Sequence, residues 1–413
     1  MPSVHVVVGS PWAEGASLIS GGVALPWRDG ATVHAGMSAY VPGAPAAGGT
    51  PTGPVPASVL RIDARQTYTV VHNVSVVDLR DAAALDVFDV SMSIDEDSAL
   101  WTLRASGPGA LYATLVGGEQ PAQVEVTIDG LTWRFVVDSI SRAREFGGTT
   151  ATFAGRSLAV LAGAPYEAVQ NWVNDGPSTG AQVAAVANIY TGLAVSWEVE
   201  DWLIPDRVFS FTGTPLAVVN RVAEAVGAVV QADRADYGVR VMPRYPRLPN
   251  EWAVTPPSVV VAFEAVVSEQ FERADTPEYT GVYVSGQQQG AVGFVRLAGT
   301  AGANLHPLVT DPLLTEAPAL RQRGEAILGA SGGQARVTQV LPVLTGTGEP
   351  GVLSVGQLVR VLDPDAAWMG LVRAVSVAAS SVDRDPRVRQ SVVLERHTKD
   401  VDYTTRPPPV QQG

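Results

Sequence analysis

The sequence predicts a mainly β protein of the α+β class, with two antiparallel β-domains, a small α/β insert between them and an arm in front. Three observations carry this. Period-two alternation bounded by Gly, Pro, Asp and Asn fills Val59 to Arg156 and returns from Val259 to Arg396. Between these stretches the apolar spacing becomes helical, in two helix–Gly–strand units. Gly (41) and Pro (30) are plentiful, which suits many short strands joined by tight turns.

Residues 1–58 read as an N-terminal Gly/Pro-rich arm. Short β-like pieces (Val4 to Val8, Ala31 to Val33) lie among Gly, Pro and Ala, and Val41 to Pro56 can neither pair in a sheet nor continue a helix. Trp12 and Trp27 favour an arm that orders against a neighbouring subunit over a flexible leader. Strands are then predicted at Thr67 to Val77, Asp86 to Ile94 and Trp101 to Ser106. The clearest architecture follows at Pro121 to Arg156. Val124, Val126 and Ile128 alternate with Gln123, Glu125, Thr127 and Asp129, giving one apolar and one polar face. Asp129-Gly130 tolerates the positive φ of a two-residue hairpin turn, and alternation resumes at Leu131, Trp133, Phe135 and Val137. A third run, Thr149 to Phe153, completes a meander. Six or so strands over about 100 residues are enough to close a small barrel or sandwich.

Helical spacing begins at Ser157 to Leu161. Ala181 to Tyr190 is a second helix, stopped at Gly192 and followed by a strand from Leu193 to Val199. Thr214-Pro215 supplies an N-cap and a first-turn proline for a helix whose Leu216, Val219, Val222, Ala223 and Val226 share one face, and Gly227 ends it. Val229 to Ala232 and Val239 to Met242 form a hairpin. After the Pro-rich stretch Pro243 to Pro257, strands are predicted at Val259 to Phe263, Tyr279 to Ser285, Ala291 to Leu297, Ala335 to Val343 and Leu358 to Leu362. A long hairpin, Leu371 to Ala378 with Val388 to Arg396, ends the series, and a helix from Ala319 to Leu328 interrupts it. The closing segment around Arg406-Pro407-Pro408-Pro409 reads as a disordered tail.

Composition narrows the function classes. With no cysteine there is no disulfide, thiolate metal site or Cys nucleophile. The five histidines (His5, His34, His72, His306, His397) are far apart in sequence, so no histidine metal motif is present. The net charge is −13, Lys399 is the only lysine, and no basic run exists to grip phosphates, which argues against sequence-reading DNA binding. No targeting segment or membrane span is expected.

Catalytic patterns are scarce. Gly329-Ala330-Ser331-Gly332-Gly333 fits G-x-S-x-G, but a nucleophile elbow needs a strand before the serine and a helix after it. Here the order is reversed, and a Gly-rich helix stop explains the same letters. No P-loop or dinucleotide fingerprint occurs. The carboxylate pairs Asp86/Asp89, Asp363/Asp365 and Asp383/Asp385 read as structural, the last two as turn residues. Asp95-Glu96-Asp97 reads as a solvated loop, without the spacing of a calcium-binding loop. Asn73-Val74-Ser75 fits a glycosylation acceptor but lies within a predicted strand. No catalytic residue, cofactor site or metal site is assigned.

Three short motifs, taken in order, resemble those of bacteriophage tail hub proteins. Val136-Val137-Asp138-Ser139-Ile140-Ser141 is followed by Thr152-Phe153-Ala154-Gly155-Arg156-Ser157-Leu158, like the family's strand running into a G-R-[SD] helix start. Tyr190-Thr191-Gly192-Leu193 resembles its T-G-L insert, and Gly351 to Val359 (GVLSVGQLV) its L-x-x-G-x-x-V turn. The likeness covers roughly Thr67 to Arg396 and extends to the hubs of contractile baseplates, of long non-contractile tails and of type VI secretion spikes. It implies two tube-like antiparallel β-barrel domains with a small α/β insert domain, 59–155 as the first β-domain, 156–257 as the insert and 258–398 as the second β-domain with a helix; the 1–58 arm lies outside the likeness, and 399–413 reads as a flexible tail. It further implies a non-enzymatic virion protein of the tail tip or baseplate, assembled in the host cytoplasm as a homotrimer whose six β-domains adapt a hexameric tail tube to the tip. The implied partners are tail tube or distal tail ring proteins, tail-tip or central fibre proteins, the tape-measure protein, and DNA passing through the lumen without sequence-specific binding. The polar face Gln123, Glu125 and Thr127 is then expected to line the lumen or meet a neighbour.

A second reading is a β-rich carbohydrate-binding or polysaccharide-cleaving protein, with Trp101, Trp133, Trp197 and Trp202 as sugar platforms and carboxylate pairs as acid and base. Most of these aromatics fall on the apolar phase of predicted strands, where core packing accounts for them more simply.

Overall fold

The computed structural model describes residues 57–62, 71–118, 120–274, 276–287, 291–346, 348–364, 366–380, 382 and 386–397. The predicted arm (but for its last two residues, Ala57 and Ser58), the tail, the start of the strand at Thr67, and Asp365, Asp383 and Asp385 lie outside them.

The first alternating region forms β1 (Ser58–Leu60), β2 (Val74–Asp78), β3 (Ala83–Ala84), β4 (Asp89–Asp95), β5 (Thr102–Pro108), β6 (Gln123–Ile128), β7 (Leu131–Glu145) and β8 (Gly148–Ser157), with a six-residue helix α1 (Leu111–Val116) after β5. Asp129 and Gly130 have φ of 49° and 84°, as the type I′ turn between β6 and β7 requires. β7 runs well beyond the predicted strand. Its pairing with β8 slips between Val137 and Ser139, a β-bulge. Gly155 of β8 sits opposite that bulge, where a Cβ would lie 2.5 Å from the Val136 carbonyl oxygen. A larger residue there would push the two strands apart.

The middle region forms β9 (Gln170–Val173), β10 (Ser178–Thr179), α2 (Gly180–Ala187), β11 (Ala194–Trp197), β12 (Leu203–Ile204), β13 (Ser210–Gly213), α3 (Pro215–Ala225), β14 (Ala228–Ala232) and β15 (Gly238–Pro243). Thr179 and Thr214 cap α2 and α3, accepting from the Gln182 and Ala217 amides. α3 buries Leu216, Val219 and Ala223 against Val230, Val239 and Val241 of the β11–β15–β14 sheet.

The last region forms β16 (Val259–Ala262), β17 (Ser268–Ala274), β18 (Gly281–Ser285), β19 (Val292–Arg296), β20 (Leu305–Thr310), α4 (Ala317–Gly329), β21 (Gln334–Leu341), β22 (Leu358–Leu362), β23 (Ala367–Ser380) and β24 (Arg387–His397). β18, β19, β20 and α4 share a core with α2 and α3 around Trp202, Leu313, Leu314 and Leu320. This second layer is thus assembled from two separate insertions.

Strand pairing reveals an internal repeat. The first region pairs in the order β4-β5-β8-β7-β6-β2 and the last in the order β17-β21-β24-β23-β22-β16. In sequence these are β2, β4, β5, β6, β7, β8 and β16, β17, β21, β22, β23, β24, so each strand has a counterpart with the same neighbours; the directions match too, except that β2 runs antiparallel to β6 whereas β16 runs parallel to β22. Even the bulge recurs, between Val372 and Ala374 of β23.

The expectation of two β-barrel domains is overturned. Both regions belong to a single 14-stranded sheet, joined where β23 pairs with β4 from Ala374↔Asp95 to Ser380↔Asp89. No pairing of β4 with β2, or of β17 with β16, closes either region among the described residues. The fold is mixed α/β, mostly strand, built on an open sheet. The reason is that β23 pairs with β24 and, before its bulge, with β22 of its own repeat, but past the bulge its second edge is taken by β4 of the other repeat. One continuous core, from Val76 and Trp133 through Val372 to Leu394, underlies the junction.

Candidate interaction surface

The polar face predicted on β6 lies where alternation puts it. Val124, Val126 and Ile128 are fully buried, whereas Gln123, Glu125 and Thr127 are half-buried on the opposite face. Arg134 Nε donates to Glu125 Oε2 at 2.8 Å, and the Thr127 and Thr132 hydroxyls approach to 3.4 Å. The Glu125 charge is therefore matched by a neighbour on β7. The ion pair is partly exposed, so Arg134→Met is expected to change stability by less than about 1 kcal/mol, as chemical denaturation would measure.

A second feature is the far end of the β7–β8 hairpin. Beyond the bulge β7 leaves β6 and, among the described strands, keeps only β8 as a neighbour from Ser139 to Glu145. Residues from Ser141 to Gly148 are exposed on both faces, with Phe146 fully exposed at the tip. Arg142 leans back over the Tyr112 ring of α1, 4.9 Å from its centroid. β17 is the other edge of this kind. It pairs with β21 alone among the described strands, and Ser268 to Arg273 are all exposed, Phe271 included. An unpaired strand edge is a ready template for pairing with another chain, and proteins either cover it or blunt it with charged side chains.

Between these edges lies a buried charge network. Arg373 of β23 is 6% exposed; its Nη1 donates to Glu96 Oε2 at 2.6 Å and its Nε to Glu395 Oε2 at 2.7 Å. Tyr245 Oη donates to Glu395 Oε1 at 3.0 Å, its ring lies 4.3 Å beneath the guanidinium, and His397 Nε2 is 2.8 Å from Glu395 Oε1. Glu96 also meets Arg244, at 3.6 Å. Burial alone would raise the Glu395 pKa, but the hydrogen bond with His397 and the Arg373 charge outweigh it and hold the group below its ordinary value. For Glu96 burial wins, and its pKa is raised despite Arg373 and Arg244. Burial also pushes the Tyr245 phenol far up, with the Glu395 charge adding to it. The network ties β4, β23, β24 and the segment after β15 together at the junction of the two repeats. Glu96 was thus misread as part of a solvated loop: Asp95 does form a local turn, its Oδ1 accepting from the Asp97 and Ser98 amides, and this turns Glu96 inward.

The other sequence candidates have structural roles. Ser331 Oγ donates to the Leu328 carbonyl at 2.8 Å, closing the end of α4. Trp101, Trp133 and Trp202 are buried, with Trp101 edge-on to Trp133 at 6.2 Å, and Trp197 packs against Trp202 at 6.1 Å, so none of the four is a sugar platform. No group of three or more His, Cys, Asp or Glu that would hold a metal exists among the described residues. No helix among them is long and apolar enough to cross a membrane. Sequence reasoning missed α1, β9, β13, β17 and β20, and the two- and three-residue strands β1, β3, β10 and β12; β17 carries no alternation because every side chain described on it is exposed.

No family model matches the sequence, and no curated protein matches it. Solved structures do. The tail protein from Neisseria meningitidis MC58 superposes with a TM-score of 0.56 at 14% identity, covering 80% of this chain and 98% of that one. The prophage tail protein gp18 from Listeria monocytogenes EGD-e gives 0.51 at 13% identity over 79% and 95% of the two chains. The 43 kDa tail protein of prophage MuSo2 from Shewanella oneidensis gives 0.50 at 12% identity over 78% and 97%. At these identities the likeness is one of fold, and it extends over nearly the whole of each tail protein. The chain shares the fold of prophage tail proteins.

Proposed function

We propose that this chain is a structural component of a phage-type tail, a hub of which three copies join the tail tube to the tip around a channel for DNA. The observation that supports this reading most is the internal repeat: two six-stranded units with the same order of neighbours in a single sheet, alike in strand direction except at β2 and β16. A chain with two like units gives a threefold assembly six like positions, which suits docking on a sixfold tube. The tail-protein fold agrees with it.

The division of labour follows the chain. Residues 59–155 and 258–398 supply the ring through their repeated strands, 156–257 together with 281–329 the α/β layer, and 1–58 and 399–413 the arm and tail. Tail tube or distal ring proteins meet one side of the ring and tail-tip or central fibre proteins the other, the tape-measure protein enters from above, and assembly takes place in the host cytoplasm. Gln123, Glu125 and Thr127 face the lumen or a neighbouring copy. With a net charge of −13, an acidic lumen repels the phosphate backbone, so DNA passes without sticking. Gold-labelled antibody against the chain, applied to intact tails, is expected to mark the tip; label along the shaft or at the capsid end would overturn the reading.

A further inference from the structure

We infer that the ring closes by strand pairing between copies, with the far half of β7 (Ser139 to Glu145) pairing antiparallel with β17 of the next copy in one defined register. The inference rests on the trimeric reading above and adds the surface and the register.

The argument is the repeat itself. Within one chain, β23 past its bulge pairs with β4. The counterpart of β23 is β7 and that of β4 is β17. Within the two repeated units these are the two edges left with a single strand neighbour among the described residues. The junction seen inside the chain therefore has its missing twin between chains. A head-to-tail contact of this kind joins two different surfaces and closes as a ring when the rotation per copy allows.

The register follows by stepping across corresponding ladders. Ser139↔Ala154 corresponds to Ala374↔Val393, both placed just after the bulge. Two residues further, Thr102↔Arg156 corresponds to Arg336↔Glu395. One ladder on, Ser93↔Thr102 corresponds to Glu272↔Arg336. On this mapping β4 (Asp89–Asp95) falls end to end on β17 (Ser268–Ala274), an agreement the construction does not force. Since Ser376 pairs with Ser93, Ser141 must pair with Glu272 of the next copy. Arg142 then faces Phe271, Ala143 faces Gln270, and Arg144 faces Glu269.

The chemistry of that register is complementary. Inside the chain the equivalent positions are apolar and buried: Val377 and Ala379 against Met92 and Val90. At the edges the same positions are Arg142 and Arg144 against Phe271 and Glu269, side chains that tolerate water before assembly. Arg144 meets Glu269 directly, and Arg142 lies on the same face between Phe271 and Glu269, placing cations beside an acid and an aromatic ring. Glu269 is held ready for this, since Gln339 Nε2 donates to its Oε2 at 2.7 Å. A slip by one residue would put Arg144 opposite Gln270 or Ser268 and its charge on the wrong face.

Because the chain contains no cysteine, the test is direct. Full-length protein carrying Ala143→Cys with Gln270→Cys, or Arg142→Cys with Phe271→Cys, is oxidised and run without reductant. Adjacent pairs alternate in geometry, so at least one of the two is expected to give covalent dimers and trimers, while Ala143→Cys with Phe271→Cys is not. Arg144→Glu, on an arm exposed on both faces, leaves folding intact and is expected to weaken assembly roughly tenfold in sedimentation. A trimer by sedimentation in which neither in-register pair cross-links would overturn the register and leave the trimeric hub standing. A monomer at every concentration would overturn both.

Discussion

Arg373→Met is expected to cost about 3–5 kcal/mol of unfolding free energy, because it removes the buried cation that two carboxylates share. Glu395 is 5% exposed and Glu96 largely buried, and both reach Arg373 at hydrogen-bonding distance. The acid dependence follows from the opposed pKa shifts. Glu395 is lowered in the folded state, so its contribution is full above the ordinary glutamate range and is lost as pH falls through the folded pKa. Glu96 is raised, so its contribution runs the other way and diminishes as pH rises through that range. The wild-type acid limb is therefore shallower than Glu395 alone would make it. Urea titrations from neutral to acidic pH should show Glu395→Gln less stable at neutrality and flatter in acid than the wild type. An Arg373→Met protein as stable as the wild type would show that the network does not hold the junction together.

Trp202→Ala is expected to cost about 3–5 kcal/mol, the range for emptying a large aromatic site in a packed core. Trp202 is 2% exposed, its Nε1 donates to the Leu313 carbonyl at 2.8 Å, and its ring packs over Gly180. These contacts join α2 to the segment before α4, more than one hundred residues away in sequence. The second layer should loosen as a unit in Trp202→Ala, seen as faster amide exchange across α2, α3 and α4 together. Exchange confined to α2 would mean that the two insertions do not share one cooperative core.

How much of this was legible in the sequence depends on where each signal resides. The Val124/Val126/Ile128 phase and the Asp129-Gly130 turn are local, and both appear as read. So are the Thr214-Pro215 start of α3 and the helix stop at Ser331. The pairing of β23 with β4 is not local. Both strands alternate as any half-buried strand does, and nothing in either names its partner, so local signals predict two closed barrels from strands that belong to one open sheet. The bulges were hidden for a different reason. Val137-Asp138-Ser139 and Val372-Arg373-Ala374 carry no Gly or Pro, and the signal sits across the ladder in Gly155. β17 was invisible because an edge awaiting a neighbour has no buried phase to betray it. The candidate surface shares that property: Gln123, Glu125 and Thr127 were legible as a polar face, whereas the edges that carry the assembly argument emerged only from the strand order.

The central claim is that one chain supplies two of six like positions in a closed ring. Native mass spectrometry of the full-length protein tests it most directly. The account predicts a dominant species of three times the chain mass, with no accumulation of open-ended larger oligomers. A stable monomer across the accessible concentration range, or a twofold dimer, would contradict it.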